Sequence, residues 1–203
     1  MIKIVKDIDL YDHFSEYDTI LIGTNIYCTM SQGIQLKVML NYPYVYEKNL
    51  ETKYGDIDKM GTILECKSEN EEPTFCLCFI AKGYNFRPDL EKDYLSYDAL
   101  ENALKLVNIK YKGKKIACPL LGSSRFDGNG DKKKIFNIFK KTLTDVECTV
   151  FDYFQKSRAE EMKEVRDREL AVKKEDRKAY YEMVRKRKEE AEERFKKNGH
   201  RRY

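Results

Sequence analysis

Tryptophan is absent from this 203-residue chain, there are only two histidines (His13 and His200), and the four prolines are widely scattered. No pair of cysteines has the C-x-x-C spacing, so with so little histidine a structural zinc site is excluded as a working reading. No apolar run approaches the roughly 18 residues that a membrane-spanning helix needs. The first residues carry no signal-peptide pattern, which makes a cytoplasmic protein the expectation. Also missing is the Lys-Ser/Thr pair that grips a nucleoside triphosphate in a P-loop, although a glycine-containing stretch, Gly23 to Gln35, follows the apolar run Thr19-Ile20-Leu21-Ile22.

What is present is charge, unevenly spread. The chain holds 39 Lys/Arg and 35 Asp/Glu, a net +4. Residues 156–203 contain 18 of the basic and 12 of the acidic side chains, a net +6; subtraction leaves 21 and 23 for 1–155, a net −2. The basic balance thus belongs to the last quarter of the chain. There Glu precedes Lys or Arg by four positions at 164/168, 169/173, 182/186, 190/194, 192/196 and 193/197, the favourable helical order. Apolar positions are sparse, and Glu169 and Asp176 interrupt the a/d seam. This predicts a long solvated helix over 155–203, able to form a weak coiled coil or to dock a protein partner. Nucleic-acid binding through Arg185-Lys186-Arg187-Lys188 is a weaker reading, because neighbouring carboxylates cancel much of the field.

Residues 1–154 read as one domain. Runs rich in β-branched and aromatic residues predict strands at 2–5, 19–22, 61–66, 74–81, 115–118 and 147–153. Helical spacing appears at 34–40, at 97–107 through Leu100, Leu104 and Val107, and at 135–143 through Ile135, Ile138, Phe139 and Leu143. Alternation of strands with such helices predicts a three-layer α/β/α sandwich around a mostly parallel sheet. Most of the six cysteines lie inside strand-like runs such as Phe75-Cys76-Leu77-Cys78-Phe79, where a reduced thiol packs as a small hydrophobe.

Ligands of such sheets bind beyond the carboxyl ends of the strands. Two glycine-containing loops fall there: Gly23 to Gly33, and Leu121-Gly122-Ser123-Ser124-Arg125-Phe126-Asp127-Gly128-Asn129-Gly130. Backbone N–H groups in such loops, next to a helix N-terminus, suit an anion; an ordinary turn is the competing reading.

These residues together resemble the macro domain, a family that binds ADP-ribose. Lys6-Asp7-Ile8 resembles its Gly-Asp-Ile/Leu signature, with Lys6 in place of glycine. Asn25 and Met30-Ser31-Gln32-Gly33-Ile34 resemble its Asn and Met-Gly-x-Gly-Ile segment, with Ser31 in place of a glycine and Gln35 in place of alanine. Tyr42-Pro43 and Gly61-Thr62 fall where the family has a Tyr-Pro step and a glycine-started strand. Phe79-Ile80-Ala81-Lys82, with Arg87-Pro88 and Tyr97-Asp98-Ala99-Leu100 beyond it, is similar to the terminal ADP-ribose glycohydrolase branch.

The resemblance implies roles. Asp7 and Ile8 would meet adenine; Asn25 would meet the distal ribose; Met30, Ser31, Gly33 and Ile34 would face the diphosphate. Gly122, Ser123, Ser124, Arg125 and Phe126 would form the second phosphate loop, with Ser124 where a glycine is expected. Lys82 would attack the anomeric carbon with Asp127 as its acid/base or electrostatic partner, and Asn25 would complete the catalytic set. Tyr153 or Phe151, ending the last strand, is a candidate to stack on adenine, with core packing the competing reading. No cofactor or metal is implied. The activities open at this point are ADP-ribosyl-ester hydrolase, ADP-ribose-1''-phosphate phosphatase, a silent ADP-ribose reader, and a structural protein that has kept only the fold. The abundance of Lys, Tyr and Asn suits an AT-rich genome, such as that of a phage or virus, in which case host cytoplasm or virion would be the location.

Overall fold

The computed structural model describes residues 1–68, 73–82, 94–124 and 128–153, together with 185, 186 and 189. The chain divides into two compact units, Met1–Tyr153 and Phe154–Tyr203. In the second, Arg185, Lys186 and Glu189 are helical, and Arg185 Nε lies 3.6 Å from Glu189 Oε1. The rest of the expected charged arm lies outside the described residues.

The first unit is built on a six-stranded sheet: β1 (Ile2–Lys6), β2 (Thr19–Asn25), β3 (Ile63–Cys66), β4 (Thr74–Ala81), β5 (Lys115–Pro119) and β6 (Glu147–Asp152). Their order is β1-β6-β5-β2-β4-β3, and only the β3–β4 pair is antiparallel. The helices are α1 (Gly33–Asn41), α2 (Pro43–Leu50), α3 (Tyr97–Lys110) and α4 (Lys132–Thr142). Strands β2 and β4 are buried almost throughout, as the near-continuous apolar runs of a parallel sheet covered on both faces require.

One face carries Leu21, Cys76, Cys78, Ile80, Ile116, Cys118, Cys148 and Val150 against Leu100, Leu104 and Val107 of α3 and Ile135 and Phe139 of α4. Complete burial of each of these large side chains contributes about 1.5–3 kcal/mol. Phe75, from β4, instead meets an aromatic group of Phe14, Tyr42 and Tyr44, at ring separations of 5.3, 4.8 and 6.4 Å. The sheet is therefore sandwiched, as expected from the alternation of elements. Ser96 caps α3 by accepting from the Ala99 N–H, and Asp131 caps α4 by accepting from the Lys134 N–H.

The sequence pattern misses α2. Its inward positions are Val45, Tyr46 and the fully buried Asn49, which do not make an apolar stripe. Pro43 opens this helix, at a position whose N–H would have no helical partner anyway. The expected strand at 61–66 begins only at Ile63, because Gly61 (φ +80°) turns the chain first.

All six cysteines are free and buried. Burial pushes the Cys66 thiol up to about 12 and raises Cys118 as well; the hydrogen bond with Cys76, with burial, raises Cys78. Among the described residues no cluster of His, Cys, Asp or Glu could hold a metal, and no helix is long and apolar enough to cross a membrane.

One polar tie crosses from α3 to the sheet edge. The Tyr111 hydroxyl donates to Glu65 Oε2 at 2.8 Å. Burial opposes the charge on Glu65, but the bonds from Tyr111 and Lys67 and the charge of Lys110 outweigh it and hold the carboxyl below its usual range. A depressed folded-state value means stability that is present at neutral pH and lost as pH falls through it. Tyr111→Phe is expected to lower unfolding free energy by about 1 kcal/mol at pH 7 and by much less at pH 3, measured by urea denaturation at both. An equal loss at both values would show that the ionised Glu65 is not the partner that matters.

Candidate functional site at the carboxyl edge of the sheet

Five parallel strands end on one edge, and most expected site residues lie there. Along it, in strand order, come Asp7 and Ile8 after β1, Tyr153 after β6, Leu120 to Ser124 after β5, Asn25 to Gly33 after β2, and Lys82 after β4. From β1 to β4 is four inter-strand spacings, roughly 19 Å. A ligand that meets both ends must be elongated.

The edge opens in the middle. The β2–β5 ladder has only two registered pairs, Thr19↔Ile116 and Ile20↔Ala117, whereas β2–β4 continues from Thr19 to Asn25. Beyond Ile20 the two central strands are no longer paired, and the loops that follow them flank the gap. The Gly23 carbonyl accepts from Gln35 Nε2 at 2.7 Å, which ties the first turn of α1 to β2 beside this opening.

The loop after β2 is shaped by Asn25. Its Nδ2 donates to Thr29 O and Thr29 Oγ1 (3.1 and 2.7 Å), and its Oδ1 accepts from the N–H groups of Tyr27 and Thr29 (3.0 and 3.4 Å). Two donors and two acceptor sites are the full capacity of a carboxamide. Asn25 is 4% exposed, so it acts on the loop's shape from beneath. Met30 is buried, Ser31 exposed and Ile34 half-buried.

This loop leads into α1, whose N-terminus has no side-chain cap, in contrast to α3 and α4. Gly33 begins the helix at φ +53°, and a Cβ there would meet nothing within 4 Å. Thr24 Oγ1 and Gln32 Oε1, close to it in sequence, are buried without a hydrogen-bond partner among the described residues. An uncapped helix start beside open space is a ready anion site, because its first N–H groups lack intrahelical acceptors.

The second glycine loop is different. The Gly122 Cβ position lies 2.6 Å from Leu95 Cδ1, that of Gly130 2.5 Å from Leu95 Cδ2, and that of Gly128 2.8 Å from the Gly122 carbonyl. The Gly130 N–H bonds the Gly122 carbonyl at 2.9 Å, the Gly128 N–H bonds Ser124 O at 3.1 Å, and the Ser123 N–H bonds Leu120 O at 3.1 Å. Close packing thus requires glycine here: Gly122 and Gly130 make room for the Leu95 side chain, and Gly128 for the Gly122 carbonyl and Leu95 Cβ. The Leu95 backbone also forms a bridge with Ala81, so one residue joins the end of β4, through its backbone, to the loop after β5, through its side chain. Ser123 and Ser124 remain half-buried at the rim; Arg125, Phe126 and Asp127 lie outside the described residues.

At the far strands, Asp7 itself takes the left-handed conformation (φ +59°), a turn that aspartate tolerates without the glycine usual one position earlier. Asp7 and Ile8 are exposed and Tyr153 is half-buried. Asp9, which sequence reasoning passed over, accepts from the Tyr11 N–H and pairs with Lys37 of α1. Lys82 is exposed directly after β4, and the register Asn25↔Ala81 sets it beside the loop after β2.

This architecture recurs in solved structures. The macrodomain of Mycobacterium tuberculosis DarG matches 74% of this chain and 97% of its own at 15% identity, with a TM-score of 0.55. The macrodomain of Thermus aquaticus DarG matches 75% and 98%, also at 15% identity and a TM-score of 0.55. The fold is that of the macrodomains. Thermosipho africanus DarTG, solved in complex with ADP-ribose, matches 73% of this chain and 41% of its own at 16% identity, with a TM-score of 0.54. No protein-family model matches the sequence, and no curated protein matches it.

Within this macrodomain fold, Leu95 and Asp9 are residues that sequence reasoning missed, and Gln35 was marked only as standing in place of alanine. Only Gln35 left a signal, as a polar residue one turn into a helix that packs on β2. Asn25→Ala is expected to lower stability by about 2–3 kcal/mol, since it removes several bonds from a buried loop. Denaturant unfolding measures it. A loss below about 0.5 kcal/mol would show that the loop keeps its shape without the amide.

Proposed function

We propose that this chain binds ADP-ribose or an ADP-ribose derivative along the carboxyl edge of its sheet and hydrolyses an ADP-ribosyl bond there. The observation that carries the reading is the uncapped N-terminus of α1, with open space at Gly33, beside the gap between β2 and β5. A diphosphate bridging two sugars suits it: the charge meets backbone N–H groups, with no P-loop lysine needed. Asp7, Ile8 and Tyr153 take the adenine end, and the distal ribose points toward Asn25, Lys82 and the loop after β5. The roughly 19 Å between the outer strands suits an elongated ligand of this kind.

Cleavage at the anomeric carbon passes through an oxocarbenium-like state. It needs a rigidly held diphosphate, a nucleophile or oriented water, and a carboxylate to stabilise positive charge. Lys82 is proposed as the nucleophile, and Asp127 as the acid/base or electrostatic partner. Asn25 keeps the phosphate loop in register. An ADP-ribosyl ester fits a lysine nucleophile better than ADP-ribose-1''-phosphate does. A second reading, a binding module without turnover, is favoured by Asn25: with its amide engaged inside the loop, fewer groups remain for catalysis.

Calorimetry separates these. ADP-ribose is expected to bind, and Gly33→Ala to weaken binding about tenfold, a loss of about 1.4 kcal/mol. No heat at millimolar ADP-ribose would overturn both readings. On an ADP-ribosylated glutamyl peptide, Lys82→Ala is expected to slow turnover by about 100-fold while binding changes little. Full turnover in that variant removes the lysine mechanism, and no turnover by the unaltered chain leaves the binding module.

A further inference from the structure

A second chemical cluster lies beneath the loop after β2 and plays no part in the reading above. Three contacts dock this loop onto residues 52–59: the Gly55 N–H donates to Ile26 O at 2.9 Å, the Tyr27 and Tyr54 rings meet edge to face at 5.4 Å, and Cys28 reaches Thr52 and Lys59. Cys28 is 2% exposed and holds a left-handed backbone, φ +56°, an unusual conformation for a residue other than glycine.

Lys59 is 9% exposed, an uncommon burial for lysine, and no carboxylate pairs with it among the described residues. Its Nζ lies 3.3 Å from Cys28 Sγ and 3.0 Å from Thr52 Oγ1, with the Phe79 ring centre 4.9 Å away. Thr52 Oγ1 is 3.4 Å from Cys28 Sγ and donates to the Asn49 carbonyl at 2.7 Å. Asn49 is fully buried, and both polar atoms of its side chain lack a partner among the described residues. A thiol and an amine are thus held side by side in a pocket that satisfies its polar groups poorly. Burial lowers the pKa of Lys59, against the charges of Cys28 and Asp56, which enlarges the neutral, nucleophilic fraction of the amine.

We propose that Cys28 and Lys59 form an oxidative modification site, in which a peroxide converts the pair to a covalent Sγ–Nζ cross-link. In the first step Sγ attacks the peroxide. The O–O bond breaks, an S–O bond forms, sulfur loses two electrons to the peroxide, and one water leaves as Cys28 becomes a sulfenic acid. In the second step Nζ attacks that sulfur. An S–N bond forms as the S–O bond breaks, and the departing hydroxyl takes a proton from nitrogen to leave as a second water. Thiol, amine and peroxide thus give a sulfenamide and two waters. Peroxide is close to water in size and reaches Sγ through local opening of this surface loop. The product staples the loop carrying Met30 and Ser31 to residues 52–59, and a dithiol reductant reverses it.

The test treats the full chain with hydrogen peroxide, digests it, and maps the peptides by mass spectrometry, with no ligand present. The expected result is a Cys28 peptide joined to a Lys59 peptide, two hydrogens lighter than the unlinked pair, restored by dithiothreitol. Peptide mapping is essential: a disulfide between Cys118 and Cys148, whose sulfurs are 3.9 Å apart, changes the intact mass equally. Loss of the joined peptide in Cys28→Ser and in Lys59→Gln confirms both ends; if either fails to fold, the map of the unaltered chain decides alone. Recovery of Cys28 unlinked, whether as thiol or as oxidised acid, would overturn the proposal. This outcome is independent of whether ADP-ribose binds.

Discussion

The structure depends on a parting of strands. β2 and β5 are neighbours at the centre of the sheet, yet they are registered only at Thr19↔Ile116 and Ile20↔Ala117. In a parallel sheet covered on both faces, a backbone group that loses its ladder partner must find another. The Gly23 carbonyl finds the Gln35 side chain, and that bond ties the first turn of α1 to β2. The early separation therefore opens a gap at the carboxyl edge and sets a helix N-terminus beside it. Both consequences suit the anionic ligand proposed above.

The loops on either side of the gap reach their shapes by different physics. The one after β2 is polar: Asn25 folds the chain over its own carboxamide, and the segment then ends on Gly33, which leaves space open. The one after β5 is apolar at its base, where Gly122, Gly128 and Gly130 close around Leu95. Identical residue types thus do opposite work. Gly33 keeps volume empty, whereas the later glycines permit volume to be filled. Since the Leu95 backbone also bridges Ala81, the ends of β4 and β5 are linked through one buried residue.

Much of the architecture is legible in the sequence because burial on both faces forces β2 and β4 into long runs of apolar and β-branched residues. Helix α3 is legible because Leu100, Leu104 and Val107 meet one core. Helix α2 is not, since a buried asparagine and the two tyrosines of its first turn conceal its inward face. The edge residues Asp7, Asn25 and Lys82 were found from a resemblance in motif, and the topology does bring the ends of their strands to one side. The purpose of the glycines at 122–130 was illegible because it depends on Leu95, some 27 residues earlier, and contacts of that range leave no local pattern. The Cys28–Lys59 contact was hidden for the same reason: its two residues lie 31 positions apart in the chain.

The most direct test of the central claim, that the opened carboxyl edge receives an ADP-ribose-like ligand, is amide hydrogen exchange with and without ADP-ribose. The account predicts slowed exchange at Gly33 to Leu36 and at Gly122 to Ser124, the two sides of the gap, with residues 105–110 at the far end of α3 unchanged. Protection confined to other surfaces, or none at saturating ADP-ribose, would contradict it.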